Sequence, residues 1–146
     1  MIAVDRNILV YAHRQETPFH AIAKAHIEQL CVGNAAWGIP VACISEFLSV
    51  TTNARVFSQA SDYGRAIAQL DAWLGAPSAR ILHSRASHWP ILKKIAQAGR
   101  LTDGQHHDAR IAAICLENAA KELWSADRDF SRFVQLKVRN PLIQAK

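Results

Sequence analysis

The sequence lacks any apolar run near the roughly 20 residues that a membrane-spanning helix requires. Its first residues include an acid at position 5 and have no basic flank, which is not the pattern of a secretory signal. These features predict a protein without a membrane partner and favour a cytoplasmic location.

Cysteine is also scarce, and its spacing argues against a zinc site. Cys31, Cys43 and Cys115 have no spacing typical of a zinc site, and each falls in an apolar segment with helical character. A free thiol in such a segment behaves as a small hydrophobic group. We therefore expect all three cysteines in the core of a protein from a reducing compartment.

Acidic residues are fewer than basic ones, twelve against seventeen, which gives a formal net charge of +5. A basic surface attracts polyanions but does not by itself identify one. No linker, internal repeat or low-complexity tract divides the chain, and its 146 residues are enough to bury a core. We expect one domain over residues 1–146.

Short apolar segments alternate with segments of helical periodicity along the whole chain. The strand-like segments are residues 1–4, 35–40, 79–83, 121–126 and 136–140. Their alternation with helices is typical of an α/β fold, with a small central parallel sheet flanked by helices. We further predict a helical arm from about 17 to 75, in which Thr17 and Pro18 begin one helix and Ser61 caps another.

Four carboxylates lie where a purely structural sequence has little need of them. Asp5 and Asp127 follow apolar strands, Glu46 lies near the edge of the apolar stripe of its helix, and Asp108 extends the stripe of the helix after it. Taken singly, each has an ordinary explanation as a helix cap, a dipole partner or a solvated side chain. Together they favour a shared site, because the carboxyl ends of parallel strands meet at one edge of the sheet.

Convergent carboxylates repel one another, and a hard cation such as Mg²⁺ or Mn²⁺ is the usual means of holding several of them ionised. Such a cation suits phosphoryl chemistry, because it activates water and stabilises the leaving oxygen. The pattern thus indicates metal-assisted hydrolysis of a phosphoester.

Three stretches carry a family resemblance over essentially the whole chain: DRNILVYAHR, ISEFLSVTTN, and HDARIAAICLENAAKELWSADRDFSRF followed by LKVRNPL. The chain resembles the PIN-domain family and, within it, the VapC-type toxins of bacterial toxin–antitoxin pairs. The resemblance implies a single-domain, metal-dependent endoribonuclease with an RNA substrate, a homodimeric state and a VapB-like antitoxin partner. It implies that Asp5, Glu46, Asp108 and Asp127 form the catalytic, metal-binding set, with Asp129 as the second choice for the fourth acid.

One position departs from the family pattern. The first acid is often followed there by Thr or Ser, whereas this chain has Arg6. Arg6 could contact an RNA phosphate, and we slightly favour the alternative that it is simply solvated. Asn7 could orient a carboxylate or a water, or could make a hydrogen bond at the start of its helix.

Other side chains are weaker candidates. Arg110, Arg128 and Arg132 flank the expected site and are possible RNA phosphate contacts, although each alone is more often a surface charge. The tryptophans, which are Trp37, Trp73, Trp89 and Trp124, could stack on bases. Because they lie in or beside apolar segments, we expect all four in the core.

Two other functions remain open at this level. A phosphatase with an aspartyl nucleophile at Asp5 is disfavoured, because such enzymes commonly have a second acid two residues later and this chain has Asn7. A non-catalytic PIN-like module that binds RNA or protein is disfavoured by the intact acid set, because negative charge opposes binding to phosphates.

Overall fold

The computed structural model describes residues 1–102 and 104–143. Its helices and strands follow the order expected from the sequence. The strands are β1 (Ile2–Val4), β2 (Trp37–Pro40), β3 (Ala79–Leu82), β4 (Glu122–Trp124) and β5 (Lys137–Arg139). The helices are α1 (Arg6–His13), α2 (His20–Val32), α3 (Val41–Thr51), α4 (Tyr63–Leu74), α5 (His88–Gly99) and α6 (Gln105–Glu117), with a 3₁₀ helix at Arg128–Arg132.

The five strands form one sheet in the order β3-β2-β1-β4-β5, and every pair is parallel. The α/β prediction is therefore confirmed. The segment 17–75 contains α2, α3 and α4, but it also supplies β2, which lies inside the sheet between β1 and β3. The helical arm is thus interrupted by a strand of the core.

The core forms where the helices cover the central strands. Helix α6 buries six of the seven residues from Ala109 to Cys115, all except Arg110, because small alanines let it approach the sheet closely. Strands β2 and β3 also approach closely at Gly38, where a Cβ atom would lie 2.6 Å from Leu82 Cδ2. Cys43 and Cys115 are buried as expected, and Cys31 is half-buried.

Two predicted helix starts are wrong, each because a hydroxyl has another partner. Thr17 donates its hydroxyl to the carbonyl of Arg14 at 2.7 Å and so completes the end of α1, while α2 begins three residues later at His20. Ser61 is buried against His13, with its Oγ 2.9 Å from the Nε2 atom. The cap of α4 is Asp62, which accepts the Arg65 N–H at 2.8 Å.

Three of the four tryptophans lie in the core as predicted. Trp37, Trp73 and Trp124 are at most 7% exposed. The prediction is wrong for Trp89, which is 65% exposed on α5. Ile95 is the buried residue of that helix, and Trp89, in the first turn, lies on a different face that points toward solvent.

Within the described residues, no helix combines the length and the apolar character that crossing a membrane demands.

Candidate active site

Asp5 combines the two roles that the sequence left as alternatives. It follows β1 directly, caps α1 by accepting the Arg6 N–H at 2.8 Å, and is only 2% exposed. Its carboxylate also accepts hydrogen bonds from the Ser125 hydroxyl at 2.8 Å and from the Cys43 thiol at 3.4 Å. Burial raises the pKa of Asp5, and these donors oppose that rise by stabilising the charged form.

Ser125 and Cys43 were not among the residues that the sequence indicated. Val4 pairs with Trp124 in the sheet, so Asp5 and Ser125 are the next residues of two aligned parallel strands. The sequence placed the end of this strand at position 126 and therefore aligned Asp127 with Asp5. Strand β4 ends at Trp124. With that end known, Ser125 is the residue that follows the strand as Asp5 follows β1, and it would have been identified from the sequence.

Asp127 begins the 3₁₀ helix as its cap, accepting the Asp129 N–H at 2.9 Å, and its own N–H donates to Ser125 Oγ at 3.0 Å. This turn brings Asp127 and Asp129 toward Asp108, which lies in the first turn of α6. One ligand oxygen from each of these three acids lies within 4.8 Å of the others. The three carboxylates are named here the acid cluster.

The acid cluster is electrostatically crowded. The pKa of Asp108 is raised to about 6, first by burial and then by the negative charges of Asp127, Asp5 and Asp129. The negative charge of buried Asp5 therefore contributes to the repulsion at Asp108. Oxygen ligands of one sign at this spacing fit a hard divalent cation, which would relieve their repulsion.

The second predicted acid on the chain, Glu46, is held differently. It lies on α3 and forms an ion pair with Arg6, whose side chain is 41% exposed. Arg6 is thus neither free in solvent nor replacing a hydroxyl at Asp5. Its guanidinium screens Glu46 from the acid cluster and lowers the repulsion at Asp108.

Asp108 and Asp127 of the acid cluster, together with Arg6 and Glu46, line an open cleft of about 560 Å³. Its lining combines acids with basic and hydroxyl side chains: Arg6, Ser45, Glu46, Ser49, His107, Asp108, Arg110 and Asp127. A cleft lined by both carboxylates and guanidinium groups can hold a cation and a phosphate side by side.

The remaining predicted site residues lie at the margins of the cleft. Arg110 lines it, whereas Arg128 is exposed beside a second cavity, which also contains Asp127. Arg132 donates to Gln105 Oε1 at 2.5 Å and to the Asp129 carbonyl at 3.2 Å, so it joins the 3₁₀ helix to α6. Asn7 accepts the Ala126 N–H at 3.2 Å and positions the segment after β4. Asp103, which the sequence TDG indicates as a turn residue or, less well, as an outer acid of the site, lies outside the described residues.

Comparison with known proteins identifies the family. The PIN domain family model matches residues 2–136. Ribonuclease VapC43 of Mycobacterium tuberculosis is 38% identical over 142 residues, covering 97% of this chain and 96% of that protein. Ribonuclease VapC33 of the same organism is 34% identical over 146 residues, covering 97% and 99%.

Solved structures share the fold at lower identity. VapBC2 from Rickettsia felis, bound to a DNA fragment from its promoter, has a TM-score of 0.69 at 20% identity and covers 96% of this chain and 98% of its own. Mycobacterium tuberculosis VapC20, described as a toxin that cleaves the sarcin-ricin loop, has a TM-score of 0.63 at 17% identity and covers 94% and 99%. By its family model and its sequence relatives, this chain belongs to the VapC ribonucleases of the PIN-domain family.

Proposed function

We propose that this protein is a Mg²⁺- or Mn²⁺-dependent endoribonuclease and the toxin of a VapBC-type pair. The observation that carries the proposal is the acid cluster, two members of which, Asp108 and Asp127, line a cleft together with Arg6 and Arg110. RNA as the substrate is supported by the sequence relatives, which are named as ribonucleases.

In this proposal Asp108, Asp127 and Asp129 hold the cation and Asp5 adds negative charge beside it, while the charge of Glu46 is offset by its ion pair with Arg6. The cation supplies Lewis-acid activation of water and neutralises charge on the scissile phosphate. The pKa of Asp108, raised to about 6, supports the assignment, because a carboxylate that is costly to ionise alone gains most from a nearby cation.

The other side chains act by positioning. The Ser125 hydroxyl donates a hydrogen bond to the Asp5 carboxylate, and its oxygen accepts one from the Asp127 N–H. Ser125 therefore holds two of the acids in position. Arg110 and Arg6 line the cleft and would bind phosphates beside the scissile bond without reading the base sequence.

A phosphatase that uses Asp5 as nucleophile is disfavoured by the geometry. Asp5 is 2% exposed, and its two oxygens are engaged by Ser125, Cys43 and the Arg6 N–H. A nucleophile must reach its substrate, and this carboxylate is enclosed.

The test is cleavage of a circular RNA by the purified protein, because an endonuclease cuts a substrate without ends. We expect cutting with Mg²⁺ or Mn²⁺, none with EDTA, and loss of cutting in Asp108→Asn. Asp71→Asn, on the exposed face of α4, is the matched control and should cut normally. Equal cutting by the wild type and Asp108→Asn would contradict the assignment, and tight RNA binding without cutting would favour a non-catalytic binding module.

The proposed biological context is a cytoplasmic homodimer neutralised by a VapB-like antitoxin. Helix α2 supports a protein partner, because Ile22 and Val32 are 41% and 84% exposed on it. Expression of the chain alone should arrest growth, and co-expression of the adjacent antitoxin gene should restore it. Growth unaffected by the active chain would contradict the toxin role.

A further inference from the structure

The positive charge of this protein is concentrated in one segment. Residues 72–102 contain five basic side chains and no acidic one, whereas the rest of the chain contains twelve of each. The whole net charge of +5 therefore originates from residues 72–102, which run from the last turn of α4 to just beyond α5.

The structure exposes all of this charge. The five basic residues, which are Arg80, Arg85, Lys93, Lys94 and Arg100, are each exposed to solvent. Within residues 1–102 and 104–143, none of them forms an ion pair with a carboxylate. Their charges are thus free to attract a polyanion.

Helix α5 arranges part of this charge around an aromatic ring. Trp89, Lys93 and Gln97 are spaced four residues apart and lie on one exposed face. Trp89 is 65% exposed, which is unusual for so large an apolar side chain. An indole face beside an ammonium group is the combination on which single-stranded nucleic acids stack and bind.

The far end of α5 packs close to the segment that follows the 3₁₀ helix. Gly99, its last residue, packs so that an added Cβ atom would lie 3.6 Å from Phe133, directly after the 3₁₀ helix that carries Asp129. Twelve residues of helix span about 18 Å. His88 at the start of α5 contacts Glu117 at the end of α6, with 2.7 Å between Nδ1 and Oε1. The exposed face of α5 therefore runs along α6 toward the end that carries Asp108, over the length of several nucleotides.

We propose that this face of α5, with Arg85, Trp89, Lys93 and Lys94, is an RNA docking surface outside the catalytic cleft. It binds phosphates of the strand that leads to the cleft and stacks one base on Trp89. The proposal rests on the proposed function for its substrate class. RNA fits better than an acidic protein segment, because only RNA offers both regular phosphates and flat bases.

The first experiment measures binding in EDTA, where no cleavage is expected, by fluorescence anisotropy of a labelled single-stranded RNA of about 20 nucleotides. Each phosphate contact on a single strand contributes about 0.7 to the slope of log K against log salt. We expect Lys93→Gln/Lys94→Gln to lower the slope by about 1.4 and the affinity at 0.1 M salt by about 25-fold. Trp89→Ala should weaken binding at least about fivefold with an unchanged slope.

Two matched variants make this result specific. Lys121→Gln/Lys137→Gln removes the same charge from two exposed lysines outside α5, one just before β4 and one on β5, and should lose little affinity. Lys93→Arg/Lys94→Arg keeps the charge and should bind as the wild type does. Equal losses in both Gln pairs would overturn the proposal, because they would indicate only the general field of the protein.

The second experiment compares cleavage of the long RNA with that of an oligonucleotide of about four nucleotides, which fills only the cleft. We expect Lys93→Gln/Lys94→Gln to raise KM for the long RNA and to leave the short substrate unaffected. If wild-type protein cuts neither RNA but binding still depends on these lysines, the proposed nuclease function fails and the docking surface stands. Polyglutamate, a model of an acidic protein segment, is tested in the same binding assay. If Lys93→Gln/Lys94→Gln binds RNA normally but loses the polyglutamate binding of the wild type, the surface serves an acidic protein and the RNA proposal is contradicted.

Discussion

Replacing Asp108 by asparagine should stabilise the metal-free protein. A rise of the pKa from 3.8 to about 6 corresponds to about 3 kcal/mol between the charged and neutral forms. Asp108 is only half-buried, and solvent screening reduces this to roughly 1–2 kcal/mol. Loss of a negative charge from the first turn of α6 costs about 0.5 kcal/mol, so the net gain is about 1 kcal/mol.

The sign of the pH dependence follows from the direction of the shift. Because the folded-state pKa is raised, the contribution of Asp108 to stability is fully present below pH 3.8 and is lost as the pH rises through about 6. The advantage of Asp108→Asn should therefore be complete at pH 7.5 and vanish near pH 4. A gain of 1 kcal/mol corresponds to about 3 °C in Tm for a chain of this size.

The assay is thermal unfolding with EDTA at both pH values, with Asp71→Asn as the control that should change little at either. Adding Mn²⁺ at about ten times its Kd should stabilise the wild type by about 1.4 kcal/mol and the Asp108→Asn variant by less. If Asp108→Asn is less stable than the wild type in EDTA at pH 7.5, or if its advantage is independent of pH, the reasoning about carboxylate crowding is refuted.

Three further predictions concern two side chains at the site and the exposed indole of α5. Ser125→Ala should lower the free energy of unfolding by about 1.5–3 kcal/mol in urea, because buried Asp5 loses a charge-assisted hydrogen bond; a loss under 0.5 kcal/mol would contradict that role. Arg6→Gln should tighten Mn²⁺ binding in calorimetry, because Glu46 loses its cationic partner, and it should raise KM for RNA; unchanged Mn²⁺ affinity would refute the screening argument. Trp89→Phe should remove most of the acrylamide-quenchable tryptophan fluorescence with little change in Tm, and persistent quenching would place another indole in solvent.

The arrangement around Asp5 explains how one residue can serve folding and chemistry together. As a cap it ends β1 and begins α1, and as a buried carboxylate it contributes negative charge to the acid cluster. Burial raises the pKa of the Cys43 thiol well above its ordinary value, so the thiol stays protonated and donates to Asp5. The site is thus supported by neutral donors that do not compete for a cation.

The sequence by itself determined the order of strands and helices and the parallel sheet, because hydrophobic periodicity is a local property that each segment carries. It also placed Asp5 at the end of a strand and Asp108 at the start of a helix, since both positions can be read from neighbouring residues. Strand and helix ends were less well determined, because a hydroxyl such as that of Thr17 chooses between local partners.

Only the tertiary structure decided which side chains meet. The pairing of Arg6 with Glu46, forty positions away, and of Ser125 with Asp5 depends on sheet register and helix packing. Which acids share a cluster also depended on the turn after β4, which brings Asp129 beside Asp108. Periodicity assigns a side chain to a face of its own element, whereas the distance between two elements is set by how all of them pack.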